Sequence, residues 1–134
     1  MKKILTILIL FSFTAQAKYK VASVYDGDTV KLYDKKLEEP FNHISLRMLG
    51  IDTPELKRYK CSLEGIRGLS AKTRLMNLLE NNKYYIEYVK WDKYGGRVLG
   101  HIHIGTTTAA KILIKEGYGI RYYGGKKTHD WCEE

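Results

Sequence analysis

The sequence predicts an α+β fold that is mainly β: a five-stranded Greek-key barrel of OB type with two flanking helices. Five short runs of β-branched and aromatic residues have the length and composition of strands. A long amphipathic segment of helical period separates the third run from the fourth, and a shorter helical segment follows the fifth. This order is the layout of a small OB-type barrel, although other α+β folds share it. The 134 residues suffice for one domain with a real core.

Three strands precede the long helix. Residues 19–25 and 29–33 are joined by the turn signal Asp26-Gly27-Asp28. The third strand begins at Phe41 and ends near Gly50, and a stiffened loop, Asp52-Thr53-Pro54-Glu55, follows it. The side chains of this strand alternate between an apolar face and a polar face, namely Ile44, Leu46 and Met48 against His43, Ser45 and Arg47.

The long helix is predicted over residues 61–79, with Asn81-Asn82 ending it. Its apolar stripe recurs at spacings of three and four, through Ile66, Leu69, Thr73 and Met76, and is widened by Leu75, Leu78 and Leu79. Two strands, 83–90 and 97–104, then flank a turn at 92–96. Thr106 or Thr107 is expected to cap a second helix over 108–116, with Gly117 at its end. The tail, 118–134, shows no clear period.

Residues 1–17 have the pattern of an export signal. Lys2 and Lys3 precede the apolar run 4–13, and Ala15-Gln16-Ala17 supplies a small-x-small cleavage pattern. A helix of that length rises about 15 Å, half of a bilayer's hydrocarbon core, so a signal peptide is favoured over a membrane span or a buried N-terminal helix. Residue 18 is Lys rather than Cys, so no lipid anchor is expected. We therefore expect an exported monomer, periplasmic or secreted, with its domain over 18–134.

The composition suggests a polyanionic partner. Lys and Arg number 23 against 15 Asp and Glu, and eleven tyrosines accompany three phenylalanines. Basic charge with many tyrosines suits a partner that is negatively charged and stacks on aromatic rings, most simply a nucleic acid. A content of 44% hydrophobic and 28% charged residues excludes a wholly disordered or fibrous chain.

Cysteine and histidine positions leave alternatives open. In an oxidising compartment Cys61 and Cys132 would pair, and closing the long loop between them would stabilise the domain by roughly 4 kcal/mol in the chain-entropy model. The alternative is a metal site that these two cysteines form with His129. His101 and His103 share one strand face, where a polar surface is favoured over a metal site because no third ligand converges.

Three segments carry charged residues in a pattern with chemical meaning: Asp26-Gly27-Asp28-Thr29, the stretch from Arg47 to Glu55, and the stretch from Asp92 to Arg97. Each segment, taken alone, is typical of an ordinary turn or loop. Together, in this order around the helix, they resemble the staphylococcal nuclease (thermonuclease) family over nearly all of the expected mature chain, from Val24 to about Gly117. The resemblance implies a Ca²⁺-dependent endonuclease that hydrolyses DNA and RNA and leaves 3′-phosphate ends.

The resemblance also implies a metal site and a base. Asp28 and Asp52 match calcium ligands, and the backbone carbonyl of Thr53 completes the protein's share of the shell. Pro54 restricts the backbone of this loop, so that the residues on either side of it keep a defined relation. Glu55 matches the proposed general base, which orients or deprotonates the attacking water.

Other matches concern residues that would contact the phosphate and the nucleobase of the substrate. Arg47 and Arg97 match two arginines whose planar guanidinium groups grip phosphoryl oxygens. Tyr94 matches a tyrosine of the nucleotide pocket. Two matches are weaker: Asp26 resembles a carboxylate behind the metal ligands, and Tyr123, or Tyr122 in its place, resembles a second residue that stacks on the nucleotide.

The sequence departs from the family's type member at two places. The turn Tyr94-Gly95-Gly96-Arg97 is one glycine longer, and Arg97 keeps its place if the register is counted from the strand. The third, C-terminal helix is missing, and a Cys61–Cys132 tether would hold the tail on the main helix instead.

Two other functions remain open from the sequence. An OB-type module that binds nucleic acid without cleaving it would be expected to lose at least one of the charged site residues, yet all of them are present. A basic adhesin or toxin-like domain would explain the charge and the signal but not the motifs.

Overall fold

The computed structural model describes residues 19–133, so the expected signal peptide lies outside the described residues. Eight strands and two helices follow one another in this range. Their bounds are β1 (Lys20–Val24), β2 (Thr29–Tyr33), β3 (His43–Met48), β4 (Gly50–Asp52), α1 (Ser62–Asn81), β5 (Tyr84–Trp91), β6 (Arg97–Ile104), β7 (Thr107–Thr108), α2 (Ala109–Lys115) and β8 (Ile120–Tyr122).

The five long strands form one sheet in the order β1-β2-β3-β6-β5, and β7 pairs with β6. Neighbours are antiparallel except β3 and β6, which run parallel with Ser45 opposite Arg97. The first and last strands of this order, β1 and β5, also approach each other. Val21 N donates a hydrogen bond to Tyr84 Oη at 3.2 Å, and the Tyr19 and Tyr88 rings lie 6.2 Å apart. The predicted fold class, a mainly β α+β fold of OB type, is confirmed.

The core fills the space between the curled sheet and the two helices. Alternate residues of β2, β3 and β6 point inward and meet the buried faces of α1 and α2. The buried apolar residues are Val30, Leu32, Leu46, Met48, Ile51, Leu75, Leu78, Val98, Ile102, Ile104, Ala109, Ala110 and Leu113. The polar face of β3 is thereby left for the outer surface, where Arg47 lies.

The predicted inner face of the long helix is right in part: Leu75 and Leu78 are buried, but other apolar residues of the predicted stripe are exposed. Ile66 and Leu69 are 63% and 55% exposed, and Met76 is also exposed. Beside Leu75 and Leu78, the buried residues of α1 are Glu64, Gly68 and Ala71. A Cβ on Gly68 would lie 2.8 Å from the carbonyl oxygen of Glu55, so the helix turns its small residues toward a loop that runs directly across it.

Smaller differences concern the short elements. The predicted loop after Gly50 begins as a strand, because β4 pairs antiparallel with β8 from the tail, where the sequence shows no period. The second helix is capped by Thr108, whose hydroxyl accepts from Lys111 N, rather than by either preceding threonine. Gly117 follows that helix with a φ of 83°, as expected. Among residues 19–133, no helix is long and apolar enough to cross a membrane.

Candidate active site

An open cleft of about 1050 Å³ lies at one edge of the barrel. Five parts of the chain line it: the β1–β2 turn, the end of β3, the loop 53–58, the β5–β6 turn and the tail at 122–127. The site residues predicted from the sequence that line it are Asp26, Asp28, Arg47, Thr53, Glu55, Tyr94, Arg97 and Tyr123, together with the alternative Tyr122. Asp52 is 3% exposed and lies beneath the cleft surface.

The β1–β2 turn places Asp28 at the floor of the cleft. Asp28 N donates to Asp26 Oδ1 at 3.1 Å, and Asp28 O accepts from Met48 N at 2.8 Å, which fixes the turn to the end of β3. A Cβ on Gly27 would lie 2.7 Å from Ala71 Cβ and 2.8 Å from Thr53 Oγ1. Only glycine allows this approach, which brings Asp28 beside the loop of Thr53.

Asp26 begins this turn in a half-buried position and also lines the cleft. Burial, and next the charge of Asp28, raise the pKa of the Asp26 carboxyl to about 7. Asp28, the more buried of the two carboxylates of the turn, also lines the cleft.

Arg47 joins the two carboxylates that were predicted to bind metal. Its Nη2 lies 3.4 Å from Asp28 Oδ2 and 3.7 Å from Asp52 Oδ1. The Arg47 side chain is 15% exposed and lies 5.7 Å from the centroid of the Tyr122 ring. This guanidinium is therefore held at the carboxylates while remaining open to the cleft.

The donor set fits a hard divalent cation. Asp52 Oδ1 is buried and accepts no hydrogen bond, although two cationic groups lie within ion-pair distance of it. A buried carboxylate oxygen without a hydrogen bond is suited to a metal ion, and carboxylate and carbonyl oxygens are the ligands of Ca²⁺. Over residues 19–133, no group of three His, Cys, Asp or Glu side chains is placed to hold a metal. A calcium site here would therefore depend on Asp28, Asp52, the Thr53 carbonyl and water.

Glu55 is positioned by a second, buried glutamate. Glu64, in the first turn of α1, accepts from Glu55 N at 3.3 Å through Oε1 and from Lys60 N at 2.6 Å through Oε2. The backbone of Glu55 also rests on Gly68 of the same helix. The Glu55 side chain is 47% exposed and points to the cleft, where its Oε1 lies 3.4 Å from Lys127 Nζ.

Arg97 opens β6 and is oriented by the turn before it. Its guanidinium forms an ion pair with Asp92 and lies 5.5 Å from the centroid of the Tyr94 ring, which is 72% exposed. Gly95 and Gly96 have φ values of 66° and 59°, so the turn absorbs the additional glycine in a conformation that glycine favours. Arg97 thereby keeps its place opposite Ser45, on the cleft side.

The tail is fixed by a disulfide between Cys61 and Cys132. The alternative metal site with His129 is therefore wrong, and the His129 ring instead lies 4.2 Å from that of Trp131. His103 contacts Glu87 Oε2 at 2.6 Å and stacks on Tyr85, an arrangement typical of a polar surface.

Four further residues shape the site and were not predicted as site residues from the sequence: Gly27, Glu64, Gly68 and Lys127. Glu64 stands three residues after the helix cap Cys61, a spacing typical of residues that bond the backbone around a helix start. Gly27 was predicted only as part of a turn, and Gly68 and Lys127 carry no local signal, because the groups that these residues contact are distant in the sequence.

Comparison with known proteins identifies relatives of the chain. The model of a family described as staphylococcal nuclease homologue matches residues 45–132. The thermonuclease of Staphylococcus hyicus is 36% identical over 101 residues, which are 74% of this chain and 56% of that protein. The chain thus spans little more than half the length of this relative. The turn with Asp26 and Asp28 precedes the family match, so its place in the site depends on the geometry described above.

Proposed function

Because the chain belongs to the staphylococcal nuclease homologue family, we propose that it is an exported, Ca²⁺-dependent endonuclease. Its substrates are DNA and RNA, and its products carry 3′-phosphate ends. The observation that carries the proposal is that Asp28, Arg47, Glu55 and Arg97 line one cleft, with Asp52 buried beneath it.

The charge of the cleft suits a polyanion. Seven basic and four acidic side chains line it, although the buried ligands are themselves acidic. The basic residues are Arg47, Lys57, Arg58, Lys90, Lys93, Arg97 and Lys127. Phosphate groups of a nucleic acid are attracted to such a cleft and oriented in it. The exposed rings of Tyr94 and Tyr123 offer surfaces on which a base stacks.

Hydrolysis of a phosphodiester needs an activated water and charge stabilisation at phosphorus. Ca²⁺ held by Asp28, Asp52 and the Thr53 carbonyl would supply positive charge beside the phosphate and acidify a nearby water. Glu55 takes a proton from the attacking water while the new oxygen–phosphorus bond forms. The P–O5′ bond breaks, the departing O5′ takes a proton from solvent to become the 5′-hydroxyl, and the phosphate stays on the 3′ side.

The two arginines act on the developing charge. Arg47 and Arg97 approach the phosphate from neighbouring parallel strands, and a guanidinium donates to two oxygens at once. Both are held by carboxylates, Asp28 and Asp92, so little reorganisation is needed when phosphate arrives. Their contacts strengthen as phosphoryl charge accumulates, which lowers the barrier.

Export is supported by the disulfide. Disulfides persist in oxidising compartments, and the described cysteines are both paired. A nuclease outside the cytoplasm also leaves the cell's own nucleic acid intact.

The test is cleavage of supercoiled plasmid DNA and of single-stranded RNA by the purified protein. We expect both to be cleaved with Ca²⁺ and neither with a chelator, and end analysis to show 3′-phosphate and 5′-hydroxyl groups. Full activity in chelator would refute the role of Asp28 and Asp52. Tight binding without cleavage in Ca²⁺ would favour the alternative, a nucleic-acid-binding module of the same fold.

A further inference from the structure

Lys127 places its ammonium group at the carboxylates of the proposed calcium site. Its Nζ lies 2.6 Å from Asp52 Oδ1 and 3.4 Å from Glu55 Oε1. The Asp52 side chain is 4% exposed, whereas that of Lys127 is 45% exposed. The same buried oxygen that is suited to a metal therefore faces a cation supplied by the chain itself.

Lys127 belongs to a segment that is held at both ends. We call residues 123–132, between β8 and the disulfide, the strap. At its start Tyr122 Oη donates to Gly125 O at 2.6 Å, and at its end Arg67 Nη1 donates to Trp131 O at 2.8 Å. Anchoring at both ends keeps Lys127 near the carboxylates at a high effective concentration.

The carboxylates of the site cannot balance Arg47, Lys127 and a divalent ion at the same time. Asp28, Asp52 and Glu55 carry three negative charges, and Arg47 and Lys127 already carry two positive charges against them. A divalent ion added to this set would repel an ammonium that shares an oxygen with it, across a few ångströms of poorly screened space.

We propose that Lys127 is a tethered competitor of Ca²⁺, which occupies the carboxylates in the metal-free protein and must leave when the metal binds. This inference rests on the proposed function of the cleft, and it adds that the chain itself sets the Ca²⁺ concentration at which the site fills.

Lys127, and not Arg47, is the group that leaves. Arg47 lies on β3 with its side chain 15% exposed, and it contacts both Asp28 and Asp52. Lys127 lies outside any strand or helix and has a long flexible side chain.

The first test measures Ca²⁺ affinity by calorimetry in the absence of nucleic acid. Lys127→Met keeps the length of the side chain and removes its charge, and we expect the Kd for Ca²⁺ to fall about tenfold or more. Lys127→Arg keeps the charge and should bind Ca²⁺ like the parent. Lys126→Met is the matched control, because Lys126 is the exposed neighbour and lies outside the cleft lining, and its Kd should change less than about twofold.

The second test needs no variant. Acetylation of lysine amines in the unmodified protein, read by mass spectrometry, should label Lys127 slowly without metal and several times faster with saturating Ca²⁺. Lys126 should be labelled at the same rate in both conditions.

The outcomes separate this inference from the proposed function. If the parent binds Ca²⁺ and cleaves DNA, but Lys127→Met binds Ca²⁺ equally or more weakly, the competitor role is refuted and the nuclease stands. Unchanged labelling of Lys127 on addition of Ca²⁺ would refute it as well. If neither parent nor variant binds Ca²⁺, the proposed metal site fails together with this inference.

Discussion

Two glutamates of the site, Glu55 and Glu64, have the same side chain and different tasks because their surroundings differ. Glu64 is 3% exposed and accepts from two backbone N–H groups, so its carboxylate is committed to holding the loop. The Glu55 side chain is 47% exposed and makes a single long contact with Lys127. Glu55 is therefore available to a water molecule, and Glu64 determines where Glu55 stands.

Tyr88 of β5, whose ring contacts that of Tyr19, has an ionisable group that affects stability at high pH. Burial, and then the neighbouring Tyr19 and Asp34, raise the pKa of Tyr88 from 10 to about 12. A raised pKa means that the unfolded chain releases the proton first, so this contribution to stability is complete below pH 10 and is lost as pH rises through 12.

Tyr88→Phe keeps the ring against Tyr19 and removes the ionisable group. The free energy of unfolding should then fall less steeply between pH 10 and pH 12 than in the parent. Urea unfolding at several pH values in this window measures the slope. Tyr123→Phe, at an 86% exposed ring, is the control and should keep the parent's slope, and an equal change in both variants would contradict the assignment.

At the scale of elements, helix α1 is the platform of the site. The Glu55 loop crosses it at Gly68, and Gly27 of the β1–β2 turn contacts it at Ala71. The Glu55 loop and the β1–β2 turn thus meet on one face of α1, because Gly68 and Gly27 have no side chains at these contacts.

Gly68→Ala should therefore displace the Glu55 loop. The new Cβ would lie 2.8 Å from Glu55 O and 3.0 Å from Pro54 O, and backbone atoms have little freedom to give way. We expect a loss of stability of about 1–3 kcal/mol and a fall in kcat larger than the change in KM. Thermal unfolding and steady-state cleavage rates test this against Ser70→Ala, an exposed position on the same helix, and equal behaviour of the two variants would contradict the platform role.

The sequence predicted the elements better than the contacts between them. Strand and helix positions follow from local periodicity, and most bounds agree within one or two residues. Ile66, Leu69 and Met76 were wrongly placed on the inner face of α1, because large apolar residues normally face the core. Here the close approach of two backbones favours Gly68 and Ala71, beside the correctly predicted Leu75 and Leu78. The pairing of β4 with β8 and the contact of Lys127 with Asp52 join segments that are far apart in the chain, so no local sequence pattern predicts them.

At the scale of the whole molecule, the disulfide ties the C-terminal strap to the start of α1. The bonded cysteines are 71 residues apart, so the bond restricts much of the unfolded chain. The chain-entropy model gives about 4 kcal/mol for a loop of this size. The strap would otherwise be held by the β8 pairing and by the bonds from Arg67.

Cys132→Ser should accordingly lower the free energy of unfolding by a few kcal/mol. Denaturant unfolding of parent and variant measures this, and the parent treated with reductant should match the variant. An unchanged midpoint in both would show that the bond does not stabilise the domain. Titration of the denatured parent should find no free thiol at either cysteine.

Paired measurements of cleavage rate and binding affinity for Glu55→Gln test whether the cleft cleaves nucleic acid with Glu55 as its general base. At fixed salt and Ca²⁺, cleavage should fall by about 100-fold or more, because the amide does not take the proton of water. Affinity for a cleavage-resistant oligonucleotide should stay equal or rise slightly, because one negative charge leaves a cleft that faces phosphates. Glu80→Gln, at an exposed carboxylate of α1 outside the cleft lining, should cleave like the parent. Parental cleavage by Glu55→Gln would contradict the account.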